Sequence, residues 1–139
     1  MRLLIAQALV LLSIAADAQV WVTVRKPTDP GQASLPSILV DSASIVVLKN
    51  GIRRATTKID FLADGKQHDL SGPAFLAYMT VVKSYDCGKR MLHEDSTEFH
   101  NSDGSTHTID SSSNPKWYPA PEVKAADPTL DFVCEWKPK

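Results

Sequence analysis

The sequence has 139 residues, 15 basic and 16 acidic side chains, and a formal net charge of −1 at pH 7. That length suits one domain with one core and argues against two. The charge balance argues against a surface built for nucleic acid or for an anionic membrane.

Met1-Arg2 supplies a positive charge, and Leu3 to Ala16 is an apolar stretch broken only by Gln7 and Ser13. It ends in Ala16-Asp17-Ala18, with small residues at the two positions a signal peptidase reads, so residues 1–18 are predicted to be a signal peptide cleaved before Gln19. The run is shorter than the roughly 20 residues a membrane span requires. No cysteine stands at the cleavage point to take an N-terminal lipid anchor. The expectation is an exported protein of residues 19–139, located in the periplasm, at the cell surface or outside the cell. Cleavage removes one basic and one acidic residue, so the charge stays at −1.

Val20 to Val24 is rich in β-branched and aromatic residues and predicts a first strand, followed by a loop carrying Pro27, Pro30, Gly31 and Pro36. Ile38 to Val40 and Ile45 to Leu48 read as short strands on either side of a polar turn, Asp41 to Ser44. Lys49-Asn50-Gly51-Ile52 is a hairpin signal, because Asn-Gly takes the two positive φ angles of a type I′ turn. The returning strand, Ile52 to Leu62, alternates with one half-buried face. Ala63 to Pro73 is a polar loop, and Phe75 to Cys87 is dense enough in apolar residues to be a central strand. Lys89 to His100 continues as an alternating strand with Met91, His93, Asp95, Thr97 and Phe99 on one side, and Asp103-Gly104 reads as a two-residue turn into Thr106 to Asp110. Prolines 115, 119 and 121 forbid a central strand in the tail. Asp127-Pro128 is a helix start, with Asp as N-cap and Pro at the first helical position, which predicts a short helix from Pro128 to Trp136.

Cys87 and Cys134 are the only cysteines. In an oxidising compartment one disulfide is the economical reading, set against a nucleophilic or metal-binding thiol. The bridge closes a loop of about 48 residues, worth roughly 4 kcal/mol by chain entropy.

Several residues in order resemble the surface-adhesin protein E family of bacterial exported domains. They are Trp21 in the first strand; Asp41 followed by Ser44-Ile45; Tyr85-Asp86-Cys87 continued by Lys89-Arg90; Trp117 followed by Pro119 to Pro121; and Leu130, Val133 and Cys134 at the end. The resemblance spans nearly all of residues 19–139, and it implies an antiparallel sheet with a C-terminal helix, an intact disulfide and a bacterial envelope location. It also implies a homodimer and adhesion to host matrix or serum proteins. The chain departs from the anchored adhesin in lacking a lipidation cysteine. The fold class expected is α+β, an antiparallel β-sheet with a short C-terminal helix and one disulfide.

Candidate chemistry is sparse. A two-residue turn at Asp103-Gly104 would place His100 opposite His107 with Glu98 on the same face, about 5 Å apart at Cβ and close enough to share a zinc ion. His93 would point to the other face. Two histidines and a distant carboxylate are an incomplete site, and exposed hairpin histidines are the plainer account. No nucleophile elbow, phosphate-binding glycine loop or zinc helix is present, so no cofactor and no enzyme activity is expected. Arg53, Arg54 and Lys58 form a basic cluster after the Asn-Gly turn, either a solvated face or a contact surface for an acidic protein or glycan. Trp117 and Tyr118 either cover the core or anchor an interface. The function expected is binding to a protein partner. A periplasmic protein that binds or inhibits another envelope protein comes second, and a metal-dependent enzyme third.

Overall fold

The computed structural model describes residues 18–25, 36–61, 76–119 and 128–138. All but the last residue of the predicted signal peptide lies outside these, as do Pro27, Pro30 and Gly31, the loop from Ala63 to Pro73, and Ala120 to Asp127.

Among the described residues seven strands form one antiparallel sheet: β1 (Trp21–Arg25), β2 (Ser37–Val47), β3 (Ile52–Asp60), β4 (Leu76–Asp86), β5 (Met91–Asn101), β6 (Thr106–Asp110) and β7 (Tyr118–Pro119). The order β1-β2-β3-β4-β5-β6 follows the chain, and β7 pairs with the end of β5 at Met91 and Leu92, beyond the stretch that β6 occupies. Among the described residues one α-helix, α1 (Thr129–Glu135), packs across β2, β3 and β4. Pro128 stands at its N-cap position and not inside its first turn. The predicted N-cap, Asp127, lies outside the described residues.

The two short runs expected around Asp41 to Ser44 are one strand with a wide bulge. Asp41 faces Thr56 and Val46 faces Arg54, so residues 42–45 stand opposite Ala55 alone. The polar residues read as a turn repair the interrupted ladder. Ser44 Oγ donates to the Asp41 carbonyl at 2.7 Å and accepts the Thr56 N–H at 2.8 Å. The Asp41 carboxylate accepts the Val20 and Ala43 N–H groups at 2.8 and 3.1 Å, fixing the start of β1 to β2. The bulge also turns Ile45 into the core, where it is buried.

In the first hairpin both Asn50 (φ 61°) and Gly51 (φ 73°) are left-handed, as a type I′ turn requires. The Ile52 N–H donates to the Lys49 carbonyl, and strand pairing resumes with Leu48 N–H donating to the Ile52 carbonyl at 2.7 Å. The last hairpin differs from its two-residue expectation. Asn101 N–H donates to the Ser105 carbonyl, leaving a three-residue loop, Ser102-Asp103-Gly104, with Gly104 at φ 84°. A residue in the left-handed region at the third loop position is the usual device for that loop length.

One face of the sheet carries the core, in which Val40, Ile45, Ala55, Tyr85 and Leu92 pack against Leu130 and Val133 of α1. Four ties hold the helix there. Tyr85 and Thr129 share a buried hydroxyl hydrogen bond of 2.8 Å, and Arg90 pairs with Asp131. Cys87 and Cys134 are disulfide-bonded across a Cα separation of 5.6 Å. At the far end Arg53 donates to the carbonyls of Val133 and Trp136 at 2.7 and 2.6 Å, satisfying groups that a helix C-terminus leaves open.

Candidate functional site

The three cations of the predicted basic cluster do not share one face of the sheet. Strand alternation puts Arg53 on the helix side, where it caps α1, and turns Arg54 and Lys58 to the opposite, outer face. There Arg54 Nε lies 3.2 Å from Asp95, and Lys58 Nζ lies 3.6 Å from Asp60 and 4.4 Å from the centre of the Tyr78 ring. Each cation already has an internal partner, so the cluster is not a free basic patch.

The histidine pair also separates. Because the last hairpin has three loop residues, His100 faces Thr106 and His107 faces Phe99, a slip of one position from the expected register. A one-residue slip moves a side chain to the other face, so His100 and His107 lie on opposite sides of the sheet and share no metal. His107 stacks on Phe99 at 6.2 Å. Glu98 remains beside His100, its carboxylate 3.2 Å from Nε2. Among the described residues no group of three or more metal-ligating side chains comes together.

What the register does assemble is a cleft of about 310 Å³ on the outer face, lined by Gln19, Trp21, Lys58, Tyr78, Thr80, Glu98 and His100. Lys58, Thr80 and Glu98 are direct neighbours across β3, β4 and β5, and Asp60, Tyr78 and His100 form the adjacent row. The Tyr78 ring stacks on the His100 imidazole at 4.2 Å and 15° and has the Lys58 ammonium 4.4 Å from its centre. Thr80 Oγ1 comes within 3.5 Å of His100 Nε2. The side chains are therefore held in place by one another. Trp21 makes no ring stacking contact among the described residues and forms an aromatic wall of the cleft.

A second polar group lies under the tail. Between Val82 and Lys83 the β4–β5 pairing shifts at Asp95, which breaks the expected alternation of Met91, His93 and Asp95 with Thr97 and Phe99. The Asp95 carboxylate receives the Ser84 hydroxyl at 2.7 Å and meets His93 Nδ1 at 2.8 Å in addition to Arg54. Trp117 covers the buried His93 with ring centres 5.5 Å apart, so this tryptophan shields the sheet. Tyr118 is 37% exposed, with Lys116 at 5.4 Å from its ring, and leaves an accessible aromatic edge.

Sequence reasoning singled out Trp21, Lys58, Glu98 and His100 for other roles and missed Gln19, Tyr78 and Thr80. In β4 the alternation is blurred, because Val82 stands among the even positions Tyr78, Thr80 and Ser84, and the buried Lys83 among the odd positions Ala77, Val81 and Tyr85 that enter the core. No helix among the described residues is long and apolar enough to cross a membrane. No family model matches the chain, and neither a curated protein nor a solved structure matches it significantly.

Proposed function

We propose that the chain is an exported envelope domain, of the kind its resemblance to surface-adhesin protein E implies, and that it works by binding a partner through the outer face of its sheet. The observation that carries this reading is the asymmetry of the two faces. The helix, the disulfide and the Arg53 cap occupy one face, whereas the other presents a preformed cleft of aromatic, hydroxyl and paired charged groups. Such a surface binds at low ordering cost. A disulfide and an early apolar stretch suit export. A host matrix or serum protein is the partner the resemblance implies.

Thr80→Arg places a large cation on the floor of the cleft and tests the reading. Capture of immobilised serum or matrix proteins, or of an envelope partner, should fall at least tenfold, while Glu135→Lys on the helix side should leave it unchanged. Equal capture by wild type and Thr80→Arg would move the recognition surface elsewhere. Labelling of intact cells with a membrane-impermeant reagent separates an adhesin, which is labelled, from a periplasmic binding protein, which is not.

A further inference from the structure

We propose that the outer-face cleft is a saccharide subsite that stacks a pyranose ring on Trp21 and hydrogen-bonds its hydroxyls to Glu98, Thr80 and Lys58. This rests on the outer face being the recognition surface and specifies what that face takes.

Charge points away from an ionic ligand. Lys58 is paired with Asp60, and the Glu98 carboxylate lies 3.2 Å from His100 Nε2, so the polar groups of the cleft already engage one another. A neutral polyhydroxyl ligand exchanges hydrogen bonds with such groups without leaving a charge uncompensated. The polar set is mixed, as hydroxyl recognition requires. Glu98 accepts, Lys58 donates, and the Thr80 hydroxyl and Gln19 amide do both.

The aromatic contribution is asymmetric. The Tyr78 ring is stacked on His100 at 4.2 Å and has the Lys58 ammonium 4.4 Å from its centre, so Tyr78 organises the cleft and is not its platform. Trp21 is the remaining aromatic wall. A pyranose has an apolar face of C–H groups and a polar edge, and it matches an aromatic wall beside a row of hydrogen-bonding side chains. The cleft volume of about 310 Å³ lies at the small end of ligand sites, a size suited to one or two sugar rings.

The test is an NMR titration of the disulfide-intact protein lacking residues 1–18. The probes are methyl glucoside, methyl galactoside and N-acetylglucosamine, with sodium sulfate and tetramethylammonium chloride as anionic and cationic comparisons. The expected result is saturable shifts at the Trp21 indole N–H and at the backbone of Thr80 and Glu98 for at least one sugar, with a millimolar dissociation constant. Trp21→Ala should weaken that binding at least tenfold and Trp21→Phe should restore much of it. Glu98→Ala, at an exposed carboxylate that the fold does not bury, should weaken it severalfold. The same spectra report whether each variant is folded. Absence of saturation with every sugar overturns the proposal, as does saturation of these resonances by sulfate or tetramethylammonium at least as strong as by the sugars. If sugars fail while Thr80→Arg still abolishes protein capture, the saccharide assignment falls and the recognition face stands; if both fail, both fall.

Discussion

A side chain added at Gly51 would meet no atom within 4 Å, yet the residue holds φ at 73°. The cost of a substitution there is therefore conformational and not steric. Gly51→Val should lose about 1–2 kcal/mol, the cost of forcing a non-glycine residue into the left-handed region, and thermal denaturation should show a melting temperature lower by several degrees. Asn50, which shares the turn at φ 61°, tolerates that region, so Asn50→Gly should leave stability nearly unchanged. Arg53 and Lys58 belong to one basic stretch and differ in consequence. Arg53→Ala leaves two carbonyls at the end of α1 unsatisfied and should cost about 2 kcal/mol in a denaturant titration, as loss of charged hydrogen bonds does. Lys58→Ala removes a partly exposed pair with Asp60 and should cost under about 1 kcal/mol. Two exposed carboxylates repeat one pattern. Asp103 accepts the Ser105 hydroxyl and N–H at 2.6 and 2.9 Å, and Asp110 accepts those of Ser112 at the same distances. These bonds, the hydroxyl first, hold both carboxyls below their ordinary value of 3.8. Since the native pKa is the lower one, their stabilisation is complete above the unfolded value and is lost as pH falls through the native value. An NMR titration should place the Asp103 midpoint below 3.8, and Ser105→Ala should raise it.

At the scale of elements, strand identity was legible in β-branched runs and turn pairs, whereas register was not. The sequence marks β6 at its observed limits, Thr106–Asp110, but not its partners, because a loop of two residues or three flips every side chain of the returning strand. Gly104 follows Asp103 in both cases, so the dipeptide alone does not reveal that Ser102 joins the loop. In β2, the cluster Asp41 to Ser44 has turn chemistry and forms a bulge, since its side chains satisfy the same backbone groups in either setting. The cleft escaped notice for a related reason. Lys58, Thr80 and Glu98 lie on three strands; Lys58 and Thr80 meet in a regular ladder, but the alignment of Thr80 with Glu98 depends on the register shift at Asp95, which no local pattern announces. The helix is the contrasting case. Its presence and its disulfide follow from Pro128, Leu130, Val133 and Cys134, although it runs Thr129–Glu135, one residue shorter at each end than expected, and Arg53, Tyr85, Cys87 and Arg90 tie it to β3, β4 and the turn after β4. Thiol titration of the unfolded, unreduced protein should accordingly find no free thiol. A Cys87→Ala/Cys134→Ala variant should lose up to about 4 kcal/mol of stability while keeping its sheet, the loss being chiefly the freedom regained by the unfolded chain.

Across the molecule as a whole the two faces of the sheet differ: one carries the helix and the core, the other the cleft. The sheet order follows the chain from β1 to β6 without a crossover, so each strand pairs with the strand just made. That arrangement sets how the protein reaches its native state. Neighbour-to-neighbour pairing keeps the closed loops short, which lowers the entropic barrier to folding relative to an all-β chain with distant pairings. The bond between residues 87 and 134 joins the last element to a turn already formed by β4 and β5, so zippering of the hairpins need not wait for oxidation. Stopped-flow refolding of the double-alanine variant should match the wild-type folding rate within a few-fold, while its unfolding should be much faster, as expected for a tie made after the rate-limiting step. A chain that is threaded unfolded through a membrane would thereby acquire its sheet first and its covalent clasp second, and the clasp would govern how long the protein lasts, not how quickly it forms.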